Sequence, residues 1–185
     1  MDGGIISVKQ GASAGVPHIR LLRGMKSGQM ERVGRGVYML PDELDDAMYI
    51  AQLRRPKIIF SHDSALWLHD LTDRYPVSHS VTVPTGYNKK PLNDDGFTTF
   101  SVKRELYELG MVQARTPLGH TVNAYGLERT ICDCVRSRSR MEAEIVSEAV
   151  KRYARRSDKN IGQLMDFAER FGVAKLIRTY MEVLL

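Results

Sequence analysis

The residues of this chain whose type and spacing suggest chemistry begin with a group of strong bases between Pro17 and Gly36. The group is Arg20, Arg23, Lys26, Arg32 and Arg35. Only one acid, Glu31, lies among them. Lysine and arginine side chains clustered in this way are typical of surfaces that contact the phosphates of a nucleic acid. The chain has 27 such bases against 22 acids, and its net charge of +5 is compatible with a polyanionic partner.

The charge changes sign directly after this group. The stretch from Pro41 to Asp46 has four acids and no base. A proline followed by acids is typical of a loop that leads into the first turn of a helix, where carboxylates suit the helix dipole. We therefore expect a linker near residues 40–45, with one domain over residues 1–40 and a second over residues 45–185.

The elements that must position the first basic group follow from its glycines and prolines. Ser7 can cap a short helix over residues 8–14, which Gly15-Val16-Pro17 ends. A second helix is expected over residues 17–27, and Gly34-Arg35-Gly36 is typical of the tip of a β-hairpin. Two helices joined by a tight turn and followed by a basic hairpin form a winged helix-turn-helix.

In this motif the first turn and the polar face of the second helix contact base edges in the major groove, and the hairpin contacts backbone or minor groove. Leu21 and Met25 would hold the helix on its own domain. The predicted DNA-binding residues are His18, Arg20, Arg23, Lys26, Arg32 and Arg35.

A second concentration of bases lies between Arg136 and Arg156. Three glutamates interrupt it, so a solvated helix face with pairs such as Glu148–Arg152 is the favoured interpretation. Contact of this segment with DNA stays open. The polar loop over residues 85–95 is a further candidate contact surface, although a solvated connection is favoured there too.

Residues 45–185 contain several short strand patterns followed by helices, which indicates an α+β fold with a helical end. A helix is expected near 45–54, a long polar loop over 84–96, and a final helix over 162–185 that is broken near Gly172. The predicted fold class is therefore α+β: a small winged helix-turn-helix, then a mixed α+β domain that ends in a helical segment.

Catalytic and metal-binding interpretations receive less support. His62 and His69 share one face of a predicted helix but lie about 10 Å apart, too far for one metal ion. Nearby acids, Asp63 among them, keep a nucleic-acid-processing enzyme open as a hypothesis, but capping and packing roles for both histidines are favoured. No third soft ligand accompanies Cys132 and Cys134 at zinc spacing. We expect no enzyme activity, no cofactor and no metal.

Composition limits the remaining classes. No uncharged apolar run approaches the ~20 residues of a membrane span, and the N-terminus lacks the pattern of a secretory signal. Two closely spaced cysteines do not form a disulfide framework and favour a reducing compartment. We therefore expect a cytoplasmic protein that does not contact membranes.

A family resemblance covers nearly the whole chain, in order. The segments that carry it are Gly15-Val16-Pro17, Gly28 to Tyr38, Phe60-Ser61-His62, Ala65-Leu66, Leu68-His69, Leu71-Thr72-Asp73, Val81 to Pro84, Gly86-Tyr87-Asn88, Thr116-Pro117 with Gly119, and Leu127 to Asp133. In these segments the chain resembles the AbiE-type antitoxins, the transcriptional regulators of type IV toxin–antitoxin systems that act in abortive infection, a form of phage defence.

The resemblance implies an N-terminal DNA-binding domain that represses the protein's own operon by binding double-stranded promoter DNA. It also implies a C-terminal antitoxin domain that counters a nucleotidyltransferase-like toxin without a stable complex. The alternative is a regulatory or interaction module in which residues 45–185 act and the N-terminal part binds nothing. The sequence does not specify the operator, the oligomeric state or the means of neutralisation.

The chain departs from the family pattern at its beginning. The family usually has another helix before the segment that corresponds to Gly3-Gly4-Ile5-Ile6, and only Met1 and Asp2 precede it here. We therefore expect a helix-turn-helix whose first helix is missing. Gly11 and Gly24 also stand where the family has better helix formers, and Gly24 where a core leucine is expected.

Overall fold

The computed structural model describes residues 4–184, and the side chains as far as Glu182. These residues form two compact units. The first unit contains the chain up to Ile58 together with Arg115–Val122, and the second contains Ile59–Ala114 together with the chain from Asn123 onward.

Between Gly4 and Ile58, the first unit contains three strands and three helices. In chain order they are β1 (Ile5–Ser7), α1 (Val8–Ser13), α2 (His18–Lys26), β2 (Glu31–Gly34), β3 (Val37–Met39) and α3 (Ala47–Arg54). The strands form an antiparallel sheet in the order β1-β3-β2. On the central strand, Tyr38 lies opposite Ile6 of β1 on one side and opposite Arg32 of β2 on the other. Two short helices, a tight turn and a hairpin thus follow one another as the sequence predicts.

Ser7 begins α1 as predicted. The side chain of Ser7 accepts a hydrogen bond from the Gln10 backbone N–H, and the Gln10 side chain accepts one from the Ser7 backbone N–H. This reciprocal capping box satisfies two of the free donors at the start of the helix. The three-residue strand β1, which ends at Ser7, is not predicted from the sequence.

The two unexpected glycines are explained by close approaches. A Cβ atom on Gly11 would lie 3.2 Å from the Val16 carbonyl oxygen, and the Val16 N–H donates to the Gly11 carbonyl at 2.7 Å. A Cβ atom on Gly24 would lie 3.1 Å from Met30 Cγ. Glycine therefore lets α1 approach the turn, and Met30 fills the space in which a core leucine is expected at residue 24.

The sheet of the first unit has buried side chains on both faces. Ile6, Leu21 and Tyr38 form a cluster on which α2 packs. Side chains alternate along a strand, so Ile5, Val37 and Met39 lie on the opposite face, and they are buried too. Helix α3 contacts all three strands. Helix α3 therefore supplies packing for the sheet.

A buried carboxylate, Asp46, joins α3 to the segment Arg115–Val122 within the first unit. Asp46 caps α3 by accepting from the Tyr49 N–H at 3.1 Å. Its other oxygen accepts from the Thr116 hydroxyl and lies 2.8 Å from His120 Nδ1. The His120 ring stacks on Tyr49 with 4.3 Å between centroids. The first unit therefore extends beyond the predicted boundary near residues 40–45.

The second unit is built around a sheet in the order β6-β5-β4-β8-β7. The elements from Ile59 onward are β4 (Ile59–Phe60), α4 (His62–Leu68), β5 (Ser80–Pro84), α5 (Lys90–Asp94), β6 (Thr98–Val102), α6 (Arg104–Tyr107), β7 (Met111–Arg115), β8 (Thr121–Tyr125), α7 (Leu127–Arg136), a 3₁₀ turn (Arg138–Arg140), α8 (Ala143–Arg155), α9 (Ile161–Arg170) and α10 (Ala174–Leu184). The last residue of β7 and the first two residues of β8 belong to the first unit. Strand β4 pairs antiparallel with β5 and parallel with β8, and β5 pairs parallel with β6.

The α+β class is therefore confirmed, and so is the helical end. Helices α9 and α10 are separated at Gly172, whose φ of +69° is the left-handed conformation that ends a helix, as the sequence predicts. The predicted polar loop over 84–96 is wrong in part, because α5 lies within it and buries Leu92. No helix between residues 4 and 184 has both the length and the apolar content to cross a bilayer.

Candidate nucleic-acid interface

Helix α2 presents one apolar side to its own unit and one basic side to solvent. Leu21 is 3% exposed, and Leu22 and Met25 pack on the same cluster. The exposed cations are Arg20, Arg23 and Lys26, and each lies three residues from the next. Residues at this spacing are neighbours on a helix surface, so the three cations form a continuous basic face. This is the placement that the sequence predicts.

These cations have no counterion among the residues that the structure describes. Arg20, Arg23 and Lys26 form neither an ion pair nor a side-chain hydrogen bond there, and the same holds for Arg35. Unpaired cations on one helix face produce a local positive potential that attracts a polyanion. The face therefore has the electrostatics of a phosphate-binding surface.

His18 has a different environment from the other predicted contacts on α2. Its Nε2 lies 3.0 Å from the Tyr38 hydroxyl, within hydrogen-bond distance. Tyr38 is a buried residue of β3, 2% exposed. The first residue of α2 is thus attached to the sheet, and His18 positions the start of the helix.

The hairpin contains the two remaining predicted contacts. Arg32 is exposed on β2, and its Nε donates to the Gly34 carbonyl at 3.2 Å. Arg35 is exposed between Gly34 and Gly36, and Gly36 adopts a φ of +71° that allows the tight turn. Arg35 therefore stands at the tip of a β-hairpin with its guanidinium available to a ligand.

One exposed side chain of α2 was not identified from the sequence. Ile19 is 54% exposed, although it is a large apolar residue in a helix that packs on a core. Its spacing to Arg23 and Lys26, four and seven residues, places it on the basic face. That spacing is present in the sequence, but the predicted contacts include only basic residues.

Most arginines of the second basic segment, residues 136–156, have a partner within the second unit. Arg152 pairs with Asp73, and its Nε donates to Glu148 at 3.2 Å. The predicted Glu148–Arg152 pair is thereby confirmed. Arg156 pairs with Asp158 at 2.7 Å and donates to the His69 carbonyl.

Three further bases of this segment are held by the fold. Arg136 pairs with Asp133 at 3.4 Å, Arg138 donates to the Val135 carbonyl, and Arg140 lies over the Phe100 ring at 4.3 Å. Lys151 and Arg155 are exposed and have no polar partner among the residues described. They are therefore matched controls for the cations of α2.

His62 has the environment of a structural residue. It is fully buried, its Nδ1 lies 3.0 Å from the Ser61 hydroxyl, and its Nε2 lies 3.0 Å from the Ser137 hydroxyl. Its ring stacks on Phe100. Burial, assisted by nearby arginine charges, holds the pKa of His62 well below its ordinary value. Both ring nitrogens are occupied, which opposes the hypothesis of an enzyme that uses His62.

His69 has the packing role that the sequence favours, since its Nε2 lies 2.7 Å from the Tyr125 carbonyl oxygen. Burial lowers the pKa of His69 and raises the pKa of the Asp63 carboxyl, which accepts from Ser80 at 3.3 Å. Burial also raises the pKa of the Cys132 thiol to about 12, so that thiol stays protonated and inert. Within the described part of the chain, no group of three metal-ligating side chains could hold an ion.

Helix α7 contains a buried charged cluster around Arg129, and most of its contacts are not predicted from the sequence. Arg129, with no exposed surface, donates to Asp133 at 2.9 Å and to the carbonyls of Leu106 and Leu109. Its guanidinium lies between the rings of Tyr125 and Phe171, at 4.0 and 3.9 Å. The i,i+4 spacing of Arg129 and Asp133 is compatible with their pairing, but the sequence offers no signal for the aromatic rings.

No curated protein matches the chain. Among solved structures, the crystal structure of the RV2827C protein from Mycobacterium tuberculosis is similar over 97% of this chain and 76% of that one, at 10% sequence identity and a TM-score of 0.49.

The N-terminal segment matches a known family. Residues 1–41 match the model of the family described as "Transcriptional regulator, AbiEi antitoxin". They contain α1, α2 and the hairpin, and with them every predicted DNA-binding residue. The resemblance to AbiE-type antitoxins is therefore confirmed over residues 1–41, where the chain is similar to this family of transcriptional regulators.

Proposed function

We propose that this chain is a DNA-binding transcriptional autorepressor and the antitoxin of a type IV toxin–antitoxin system, acting in the cytoplasm on the promoter of its own operon. One observation carries the proposal: α2 exposes three cations without counterions, within the segment that matches a family of transcriptional regulators. A helix with that face and an apolar back has the form required to enter a major groove.

Each predicted contact receives a role from its environment. Arg20, Arg23 and Lys26 contact phosphates and base edges from α2, because they are exposed and unpaired. Arg35 acts from the hairpin tip, where a guanidinium fits a minor groove or a phosphate. Arg32 contributes a phosphate contact through the nitrogens that do not donate to Gly34. His18 keeps α2 in position through Tyr38.

The first unit supports this role as a folded scaffold. Side chains of β1 and β3 are buried on both faces of its sheet, and α3 packs against all three strands. A recognition helix must be held rigidly to read DNA, since a misplaced contact loses most of its value. This packing opposes the alternative of an N-terminal part that binds nothing.

The antitoxin half of the proposal rests on the family description. In this half of the proposal, the second unit counters a nucleotidyltransferase-like toxin without forming a stable complex with it. The direct test is co-expression with the adjacent open reading frame, if that frame encodes such a protein. Restored growth without co-purification of the two chains is expected, whereas unrelieved toxicity would contradict this half.

The DNA-binding half is tested by a gel shift on the DNA directly upstream of the gene, repeated across a range of salt concentrations. We expect a specific shift whose affinity falls as salt rises, because phosphate contacts release counterions. Arg23→Ala and Arg35→Ala should each weaken binding about tenfold and make the salt dependence shallower by about one ion.

Lys151→Ala is the matched control, since Lys151 is equally exposed and unpaired but lies in the second unit. It should bind like the wild type. The melting temperatures of all three variants should stay close to that of the wild type. Absence of any shift would reject the proposal in favour of a module that acts through its second unit alone.

A further inference from the structure

The basic face of α2 contains a large apolar residue near its N-terminal end. Ile19 is 54% exposed, and it lies one turn before Arg23 and two turns before Lys26. At 100° per residue, the directions of Arg23 and Lys26 fall on either side of Ile19. The apolar side chain thus shares one helix face with the two cations and lies on the N-terminal side of both.

The packing of the first unit does not explain this exposure. The cluster under α2 uses Leu21, with Leu22 and Met25 beside it, and does not include Ile19. A β-branched residue is also not favoured on a helix surface by propensity. A partner that covers Ile19 would remove its apolar surface from water, with the usual gain for aliphatic groups.

The charges around Ile19 restrict the chemistry of that partner. In a symmetric contact between two copies of this face, the cations of one copy would face the cations of the other. These cations are Arg20, Arg23 and Lys26. Like charges placed opposite one another oppose association. A polyanion that also presents apolar groups satisfies both features, and the thymine methyl groups in the DNA major groove are such groups.

We propose that Ile19 contacts thymine C5-methyl groups and makes this chain select operators that have a thymine at the position facing the start of α2. The inference rests on the proposed function and adds a sequence preference to it. Ile19 is the second residue of α2, and the N-terminal residues of a recognition helix are those that reach base edges. An aliphatic side chain offers no hydrogen bond, so the methyl group is what it can read.

The test compares the upstream promoter fragment made with thymidine against the same fragment made with 2′-deoxyuridine, which lacks only the methyl group. The wild-type chain should bind the thymidine fragment about fourfold more tightly for each methyl contacted. Ile19→Ala should lose most of this preference, and its salt dependence should equal that of the wild type because no phosphate contact is removed. Leu44→Ala, at another exposed aliphatic residue of the first unit, is the matched control and should retain the preference.

The outcomes separate the two claims. If the wild type fails to bind the thymidine fragment, the proposed function and this inference are both overturned. If the wild type binds with the expected salt dependence but does not distinguish the fragments, or if Ile19→Ala distinguishes them as strongly as the wild type, only the inference is overturned.

Discussion

Two basic segments of this chain have similar composition but different surroundings. On α2, Arg20, Arg23 and Lys26 are exposed and have no counterion among the described residues. In residues 136–156, most arginines are occupied by carboxylates, carbonyls or aromatic rings. Charge density in a sequence therefore does not identify a nucleic-acid surface by itself. The difference lies in whether the fold supplies a partner for each cation.

The largest expected effect is a loss of unfolding free energy when an arginine of the second unit is replaced. This arginine, Arg129, has a structural role and no expected role in DNA binding. Arg129→Met removes a buried guanidinium and leaves the Asp133 carboxylate buried without its main partner. Breaking a buried pair on one side costs about 3–5 kcal/mol of unfolding free energy. Urea denaturation should show this loss. The double variant R129M/D133L should recover much of the stability, whereas a loss under about 1 kcal/mol would refute the structural role.

A second effect concerns pH and the second unit. Burial keeps His62 neutral in the folded state with its pKa well below the ordinary value, while the unfolded chain takes up a proton below about pH 6.5. The unfolded state then binds more protons, so the unfolding free energy contributed by His62 falls as the pH drops from 7 to 5. Asp63 and Asp133, whose pKa values are raised, contribute with the opposite sign.

The contribution of His62 is isolated by comparing the wild type with His62→Gln at each pH, because the carboxyl contributions are common to both chains. The difference in slope should reach at most about 1.4 kcal/mol per pH unit, the limit for one proton. Parallel pH profiles for the two chains would show that His62 is not held neutral by the fold.

The smallest effect should come from a paired surface arginine of residues 136–156. Arg152→Ala removes ion pairs with Asp73 and Glu148, both of which face solvent. Pairs of this kind contribute little, so the denaturation midpoint should not change resolvably. Promoter affinity should also stay at the wild-type value. A loss of DNA affinity in Arg152→Ala would break the comparison, because a neutralised cation would then be acting on DNA.

Local signals made the first unit largely predictable from the sequence. The predicted features here are the Ser7 cap, the break at Gly15 to Pro17 and the tip around Arg35. They depend on neighbouring residues only, and all are observed. Strand β1 was missed because three residues show no periodicity. Gly11 looked unfavourable because its reason, the approach of the Val16 carbonyl, depends on tertiary packing.

Contacts between residues far apart in the sequence, in the candidate site and around it, were less predictable from the sequence. The sequence identified the exposed cations, since helix periodicity determines which residues share a face. It did not reveal that Tyr38 holds His18 or that Asp46 joins α3 to His120, because these pairs are 20 and 74 residues apart. The predicted division at residues 1–40 and 45–185 into DNA-binding and antitoxin domains stays a functional prediction, and the first compact unit extends beyond it.

The most direct test of the central claim is the salt dependence of promoter binding for two matched sets of substitutions. The first set replaces Arg20, Arg23 and Lys26 by glutamine, and the second replaces Lys151 and Arg155. We expect the first set to reduce the slope of log affinity against log salt by about three ions, at about 0.9 per phosphate. The second set should leave the slope at the wild-type value. An unchanged slope in the first set, or an equal reduction per residue in the second, would contradict the account.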